Sequence, residues 1–186
     1  MSTPEGRLWV NLRKSMPKQT WAFRIENRSG PGTPDVAVVW DSVTAWLELK
    51  APKSTPRLTS ENLNIRPHVF GFSEQNLQSA MRDGFTSQDL IGQAPTDHFL
   101  LRFANPKYVR STQTAWHARV FSVGAVSFFL EKAHGSSFYR LFSPYLDQES
   151  GSLRLGLVCE TRDIGLVWYA LRACAEMHSL AALRPF

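Results

Sequence analysis

Two carboxylates and an ammonium group fall close together in the stretch from Pro34-Asp35 to Glu48-Leu49-Lys50. Residues 36 to 40 and 43 to 49 are rich in Val, Trp and Leu, and the polar pair Asp41-Ser42 between them predicts two strands joined by a tight turn. A turn centred there sets Asp35 directly opposite Glu48. Opposed side chains on one face of an antiparallel pair have Cβ atoms about 4.5–5.5 Å apart, and two like charges that close repel unless a cation lies between them. Alternation along the second strand sends Leu47 and Leu49 to one face and Glu48 and Lys50 to the other. Magnesium takes hard oxygen ligands and commonly uses one or two carboxylates, with water and phosphate oxygens completing its shell. Asp35 and Glu48 supply that minimum, and Lys50 is spaced to hold a phosphate, orient a water or stabilise developing charge. The set suits phosphodiester hydrolysis, with Mg2+ as the expected cofactor and Mn2+ as its expected substitute.

The segment upstream alternates Trp21, Phe23 and Ile25 with Ala22, Arg24 and Glu26. A strand there is expected to bury the aromatic side and present Arg24 and Glu26 together on the other, which makes Glu26 a third acidic candidate. Before it, Thr3 is placed to cap a helix with Pro4 in its first position and Leu8, Trp9, Leu12 and Met16 as its apolar stripe. Glu5 lies on that stripe.

These pieces together resemble the PD-(D/E)xK nuclease signature. The closer likeness is to the resolvase-like branch that includes the VRR-NUC domains and small phage nucleases, in which an Arg-Ile-Glu segment, a Gly-x-Pro-Asp turn and a Glu-Leu-Lys strand follow in order. Here they are Arg24-Ile25-Glu26, Gly32-Thr33-Pro34-Asp35 and Glu48-Leu49-Lys50. The resemblance covers roughly residues 5 to 84. It implies an α/β fold with a restriction-endonuclease-like core, a central mixed sheet flanked by helices, here followed by a C-terminal α+β extension. It also implies magnesium-dependent cleavage of DNA, with the carbonyl of Leu49 facing the metal beside Asp35 and Glu48. Some relatives carry an acid on the first helix, so Glu5 competes with Glu26; Glu26 is preferred because the helix dipole already accounts for an acid in a first turn. Relatives often place a glutamine at the start of the helix after the lysine strand, and Gln75 is the candidate.

The likeness to resolvase-type enzymes implies branched or otherwise structured DNA as substrate and a homodimer, since two strands need two active sites. A sequence-specific restriction or homing endonuclease is the alternative, with residues 94–186 as its recognition region. A non-catalytic nucleic-acid binder is the further alternative, in which the charged hairpin is an ordinary cross-strand ladder.

The remaining chain adds binding candidates. Residues 51 to 72 contain three prolines and little periodicity, which predicts a long loop carrying Lys53, Arg57, Arg66 and His68 towards a phosphate backbone. A helix capped by Ser73, with Leu77, Ala80 and Met81 on one face, ends at Gly84. Between Asp97 and Glu131 no acidic residue occurs, while Arg102, Lys107, Arg110 and Arg119 interleave with Tyr108, Trp116 and His117, a pattern suited to phosphates and unstacked bases. The same stretch also reads as a helical core face through Trp116, Val120, Val123 and Ser127. Strands are expected at His98 to Phe103, Phe138 to Phe142 and Leu153 to Cys159, and a closing helix from about Asp163 to Leu183. Residues 113 to 133 fit either a broken helix or a strand followed by a helix.

Composition sets the outer bounds. The chain of 186 residues, 43% hydrophobic, suffices for one substantial core. Residues 1–93 are expected to form the nuclease core and 94–186 to complete its sheet and supply DNA-binding or dimerisation surface within one compact domain. A net charge of +5 favours polyanionic partners. No apolar run approaches a membrane span and no signal-peptide core is evident, so a soluble intracellular protein is expected. Cys159 and Cys174 fall in apolar segments and are expected as reduced, buried thiols. The histidines at 68, 98, 117, 134 and 178 show no ligand spacing and are left out of catalysis, His68 alone being worth testing.

Overall fold

Thr3 is extended and its Oγ1 accepts the Gly6 amide at 3.0 Å, so helix α1 (Pro4–Lys14) begins with Pro4 where a missing N–H costs nothing. Leu8 and Leu12 are buried and Trp9 and Met16 pack at the margin, as the stripe predicted. This computed structural model describes residues 3–25, 33–40, 43–54, 75, 78, 82, 103–104, 110–146 and 153–182.

Seven strands form one mixed sheet: β1 (Trp21–Arg24), β2 (Val36–Trp40), β3 (Val43–Lys50), β4 (Phe103–Ala104), β5 (Val126–Glu131), β6 (Tyr139–Leu146) and β7 (Leu153–Thr161), in the spatial order β1-β2-β3-β5-β6-β7-β4. Every neighbouring pair is antiparallel except β3 and β5. A parallel pair requires a crossover. Helix α2 (Ser111–Ser122) leads into β5 through a turn at Gly124, whose φ of +73° suits a residue without Cβ. Helix α3 (Ile164–Ala182) closes the described chain, and Asp163 Oδ1 accepts the Gly165 amide at 2.7 Å to cap it. The α/β class and the mixed sheet flanked by helices agree with expectation. The sheet draws strands from both halves of the chain.

Alternation divides the sheet into two unlike faces. Val36, Val38, Leu47, Leu49, Phe128, Leu130 and Leu141 point to one side, where they join Leu8 and Leu12 of α1 and Leu166, Val167, Trp168 and Leu171 of α3 in the main core. On the other side a smaller cluster of Phe129, Phe142 and Leu155, with Leu157, lies under α2, which packs on β5 and β6.

Several expectations need correction. Residues 113 to 133 form neither a broken helix nor a strand followed by a helix: the helix comes first and the strand second, because β5 must return parallel to β3. The Leu153, Leu155, Leu157 alternation does not run on to Cys159. A bulge opposite Leu141 and Phe142 makes Val158 the extra residue, so Val158 and Cys159 both enter the main core. The aromatic side of β1 is not buried: Trp21 is 70% and Phe23 46% exposed. These two share a face with Ala37 and Val39, away from α1 and α3, and it is Ala22 on the other side that packs on the core. Cys159 and Cys174 are buried and form no disulfide. No helix among the described residues is long and apolar enough to cross a membrane. The loop expected from residue 51 is described only to Ser54. Of the helix expected from Ser73, Gln75, Gln78 and Arg82 are described as helical.

Trp168 fixes α3 to α1 by donating its indole N–H to the Leu12 carbonyl at 3.0 Å, one of the terminal carbonyls that α1 cannot satisfy itself. Ser15 Oγ donates to that same oxygen at 3.0 Å. Trp168→Phe therefore leaves the carbonyl one partner, and the expected loss is about 1–2 kcal/mol in the urea-unfolding free energy.

Candidate active site

The hairpin register is the expected one. Trp40 pairs with Val43 and Val36 with Leu47; continued by one residue, the register sets Asp35 against Glu48. The Ile25 amide donates to the Asp35 carbonyl at 2.8 Å, and Asp35 Oδ2 accepts the Leu49 amide at 2.9 Å, so both backbone and side chain of Asp35 are tied to neighbouring strands.

Glu48 is 3% exposed. Its Oε1 accepts Lys50 Nζ at 2.8 Å and also Gln113 Nε2, while Oε2 is buried with no hydrogen-bond partner among the described residues. Gln113 is held in that orientation because its own Oε1 accepts the Arg110 amide at 3.1 Å. Burial pushes the Glu48 carboxyl up to about 7; the Asp35 charge adds to the rise, the Lys50 ammonium and its hydrogen bond oppose it, and Glu5 raises it further. Glu5, Asp35 and Lys50 all lie within electrostatic reach of Glu48.

The charged face continues across the sheet. Lys50 is in register with Glu131, Glu131 with Arg140, and Arg140 with Glu160. Arg140 approaches Glu131 at 3.9 Å and Glu160 at 2.5 Å. Burial pushes Glu131 up to about 7, against the lowering effect of Arg140. Under α2, His117 has no exposed surface, lies 4.2 Å from the Phe129 ring, and is held neutral, its pKa driven down to about 3 by burial and then by the Lys50 charge. Neither of its ring nitrogens has a hydrogen-bond partner among the described residues.

Among the described residues no three His, Cys, Asp or Glu side chains converge as a metal cluster. The unpartnered Glu48 Oε2, with a second carboxylate at the facing position, could instead hold a cation of the kind that needs only one or two protein oxygens. Gln75 is exposed; the glutamine on Glu48 is Gln113, in the first turn of the crossover helix. That residue was detectable only by locating the helix that precedes the strand parallel to the lysine strand. Arg24, in register with Val36, lies on the face opposite Glu48, which removes the alternation argument that recommended Glu26. Glu26 itself lies outside the described residues, as do Arg57, Arg66, His68, Arg102 and Lys107. Lys53, Arg110 and Arg119 are exposed. Glu131 was passed over in the sequence because it sits in an apolar run that reads as core; His117, left out of catalysis for want of ligand spacing and read instead among the aromatics of a binding surface, is buried under α2 and is not part of such a surface.

No family model matches the chain, and comparison with curated proteins finds no match. Among solved structures the chain is similar to that of Archaeoglobus fulgidus Hjc, a Holliday junction resolvase from an archaeal hyperthermophile, at 16% identity over 82% of this chain and 85% of that one, with a TM-score of 0.35. A likeness that loose carries no argument about what this chain does.

The titrations predict opposite limbs of stability. Glu48 and Glu131, raised from 4.5 to about 7, contribute stability that is full below about pH 4.5 and lost as pH rises through about 7. His117, lowered from 6.5 to about 3, contributes stability present above about pH 6.5 and lost as pH falls towards 3. With chelator present, Glu48→Gln is expected to gain about 1–2 kcal/mol at pH 8 and almost nothing at pH 4, measured by urea unfolding. His117→Leu removes two nitrogens that have no partner among the described residues and is expected to gain about 1–3 kcal/mol at neutral pH, and more in acid.

Proposed function

We propose that the chain is a divalent-metal-dependent DNA endonuclease with Asp35, Glu48 and Lys50 at its centre. The observation that carries this reading is the buried Glu48 carboxylate, one oxygen shared by Lys50 and Gln113 and the other without a partner among the described residues, set against Asp35. Asp35 and Glu48 would hold Mg2+ or Mn2+, with the Leu49 carbonyl as a further oxygen. A bound ion of this kind supplies electrophilic activation of the phosphate and of water.

The chain's own groups have separate duties. Gln113 fixes one Glu48 oxygen and so would leave the other for the ion. Lys50, bonded to Glu48, keeps its ammonium where negative charge develops on the phosphate. Glu5, whose charge reaches Glu48, supplies an acid from α1. A cleft of about 300 Å³ beside the end of β3, lined by Arg7, Lys132 and His134 among others, suits a phosphate adjoining the scissile one. Structured DNA as substrate and action as a homodimer complete the reading.

The test incubates supercoiled plasmid, linear duplex and a synthetic four-way junction with Mg2+ or Mn2+. Preferred cleavage of the junction is expected, with Asp35→Ala and Lys50→Ala each lowering the rate roughly a hundredfold or more. Discrete fragments from a long linear duplex would instead mark a sequence-specific enzyme. Binding that weakens steeply with salt but never cuts would mark a non-catalytic binder. Because Glu48 must be ionised to serve as a ligand and the proton competes with the ion for it, the cleavage rate at limiting Mg2+ is expected to rise with pH towards about 7 and then level off, with the rise moving to lower pH as Mg2+ is increased. Cleavage that persists in both alanine variants would place the catalytic centre elsewhere.

A further inference from the structure

The exposed aromatic pair on β1 lies on the chemical face of the sheet. The register runs Phe23 to Ala37 to Trp46, and Trp21 to Val39 to Thr44, which puts Trp21 and Phe23 on the same side as Asp35, Glu48 and Lys50. Their ring centroids are 5.9 Å apart at 57°. Trp46 is half-buried against Trp116 of α2, with centroids 5.7 Å apart, and stands between the β1 pair and the helix. Strand spacing and rise place Phe23 roughly 12 Å from Glu48, two strands across and one side-chain repeat along.

Exposed rings of this size are costly to leave in water without a purpose, and the surroundings indicate their occupant. Among the described residues the large hydrophobic side chains left exposed are these two, Val10 and Val123, so the patch is aromatic rather than aliphatic. From Gly6 to Ile25 the chain carries no Asp or Glu, so no acidic side chain of that segment stands beside the pair. Lys18, three residues before Trp21, is exposed, and Lys50 stands on the aromatic face of the sheet two strands away; Arg24 is exposed on the opposite face. Two rings offer at most a few hundred Å², well short of the roughly 800 Å² per partner of a stable protein interface. Rings flanked by cations match a nucleic-acid strand, whose phosphates take the charges while its bases stack. Bases within a duplex already stack on one another, so only unpaired ones can use this surface.

We infer that Trp21 and Phe23 form a stacking platform for unpaired bases of the strand whose phosphate enters the Asp35, Glu48, Lys50 site. The inference rests on the nuclease reading for its location, and it narrows the substrate to structured DNA whose bases beside the cleaved bond are unpaired or are freed at a branch point.

The test measures binding of the whole chain, in chelator, to a labelled oligothymidine and to a labelled blunt duplex by fluorescence anisotropy. The double variant Trp21→Ala/Phe23→Ala is expected to bind oligothymidine roughly tenfold or more weakly, with duplex binding changed by less than about twofold and the salt dependence of both unchanged. Trp21→Phe, which keeps a ring, is expected to retain most of the single-strand affinity. Equal losses on both ligands, no loss on either, or a change from dimer to monomer on gel filtration would overturn the platform, the last because the pair would then be a self-contact. Cleavage assayed separately in Mg2+ keeps the two readings apart. Cutting with no dependence of single-strand binding on Trp21 and Phe23 would sink the platform alone, whereas selective loss of oligothymidine binding in a protein that cuts nothing would uphold the platform and sink the nuclease.

Discussion

Strand β3 is paired on both sides, against β2 in one sense and with β5 in the other, and a single register must satisfy both. A slip of one residue would turn Glu48 and Lys50 into the core beneath α1 and α3 and expose Leu47 and Leu49, because the side-chain period is two. The main core forbids that slip, since an unpaired charge among Leu12, Leu49 and Trp168 costs far more than the strand pairing gains. Further contacts pin the hairpin from outside. Trp40 donates its indole N–H to Thr20 Oγ1 at 3.0 Å, and Asp35 accepts the Leu49 amide. The alternation of leucines and charges on β3 is therefore a positional device: apolar packing on one face fixes where the ionisable groups stand on the other.

The polar atoms that the described structure leaves unsatisfied are not scattered. Glu48 Oε2, both nitrogens of His117 and Ser127 Oγ are buried without partners, and all belong to the face covered by α2. In a face built only for stability such atoms would be replaced by carbon or paired, since each unmade hydrogen bond costs on the order of 1–3 kcal/mol. The opposite face carries none of them. The larger apolar cluster lies where α1 and α3 meet the sheet, and the under-satisfied polar atoms lie on the other side.

What the sequence revealed and what it hid follow from the range of the interactions involved. The Asp35 to Glu48 pairing was legible because a two-residue connection leaves little freedom of register, and α1 because its cap, proline and apolar stripe are local signals. The crossover was not: α2 and β5 follow β3 only after a long intervening stretch, and nothing in residues 113 to 133 announces that β5 pairs parallel to the lysine strand. With the crossover went Gln113, whose relation to Glu48 spans 65 positions. The exposure of Trp21 and Phe23 was misjudged for a related reason. Alternation says that two sides differ, but which side meets the helices depends on where α1 and α3 lie, and β1 at the sheet edge receives little cover on its aromatic side. The bulge at Val158 belongs to the same class, since it reverses an alternation that looks unbroken in the chain.

The charge balance around Glu48 links the fold to its chemistry. Asp35 and Glu5 make the surroundings of Glu48 more negative, Lys50 makes them less so, and His117, kept neutral by burial and by Lys50, adds no positive charge. A buried carboxylate in that setting has two ways to shed its excess charge: it can take up a proton, which is why its pKa stands near 7, or, on the function proposed above, it would share a divalent cation with Asp35. The two compete for the same lone pairs. The Lys50 ammonium stops the proton from winning outright by holding the carboxyl below the value that burial and the neighbouring acids would otherwise impose. Lys50 thus keeps Glu48 more readily ionised than its burial alone would allow, and the hydrogen bond between them at 2.8 Å is how the strand's i, i+2 spacing delivers that effect.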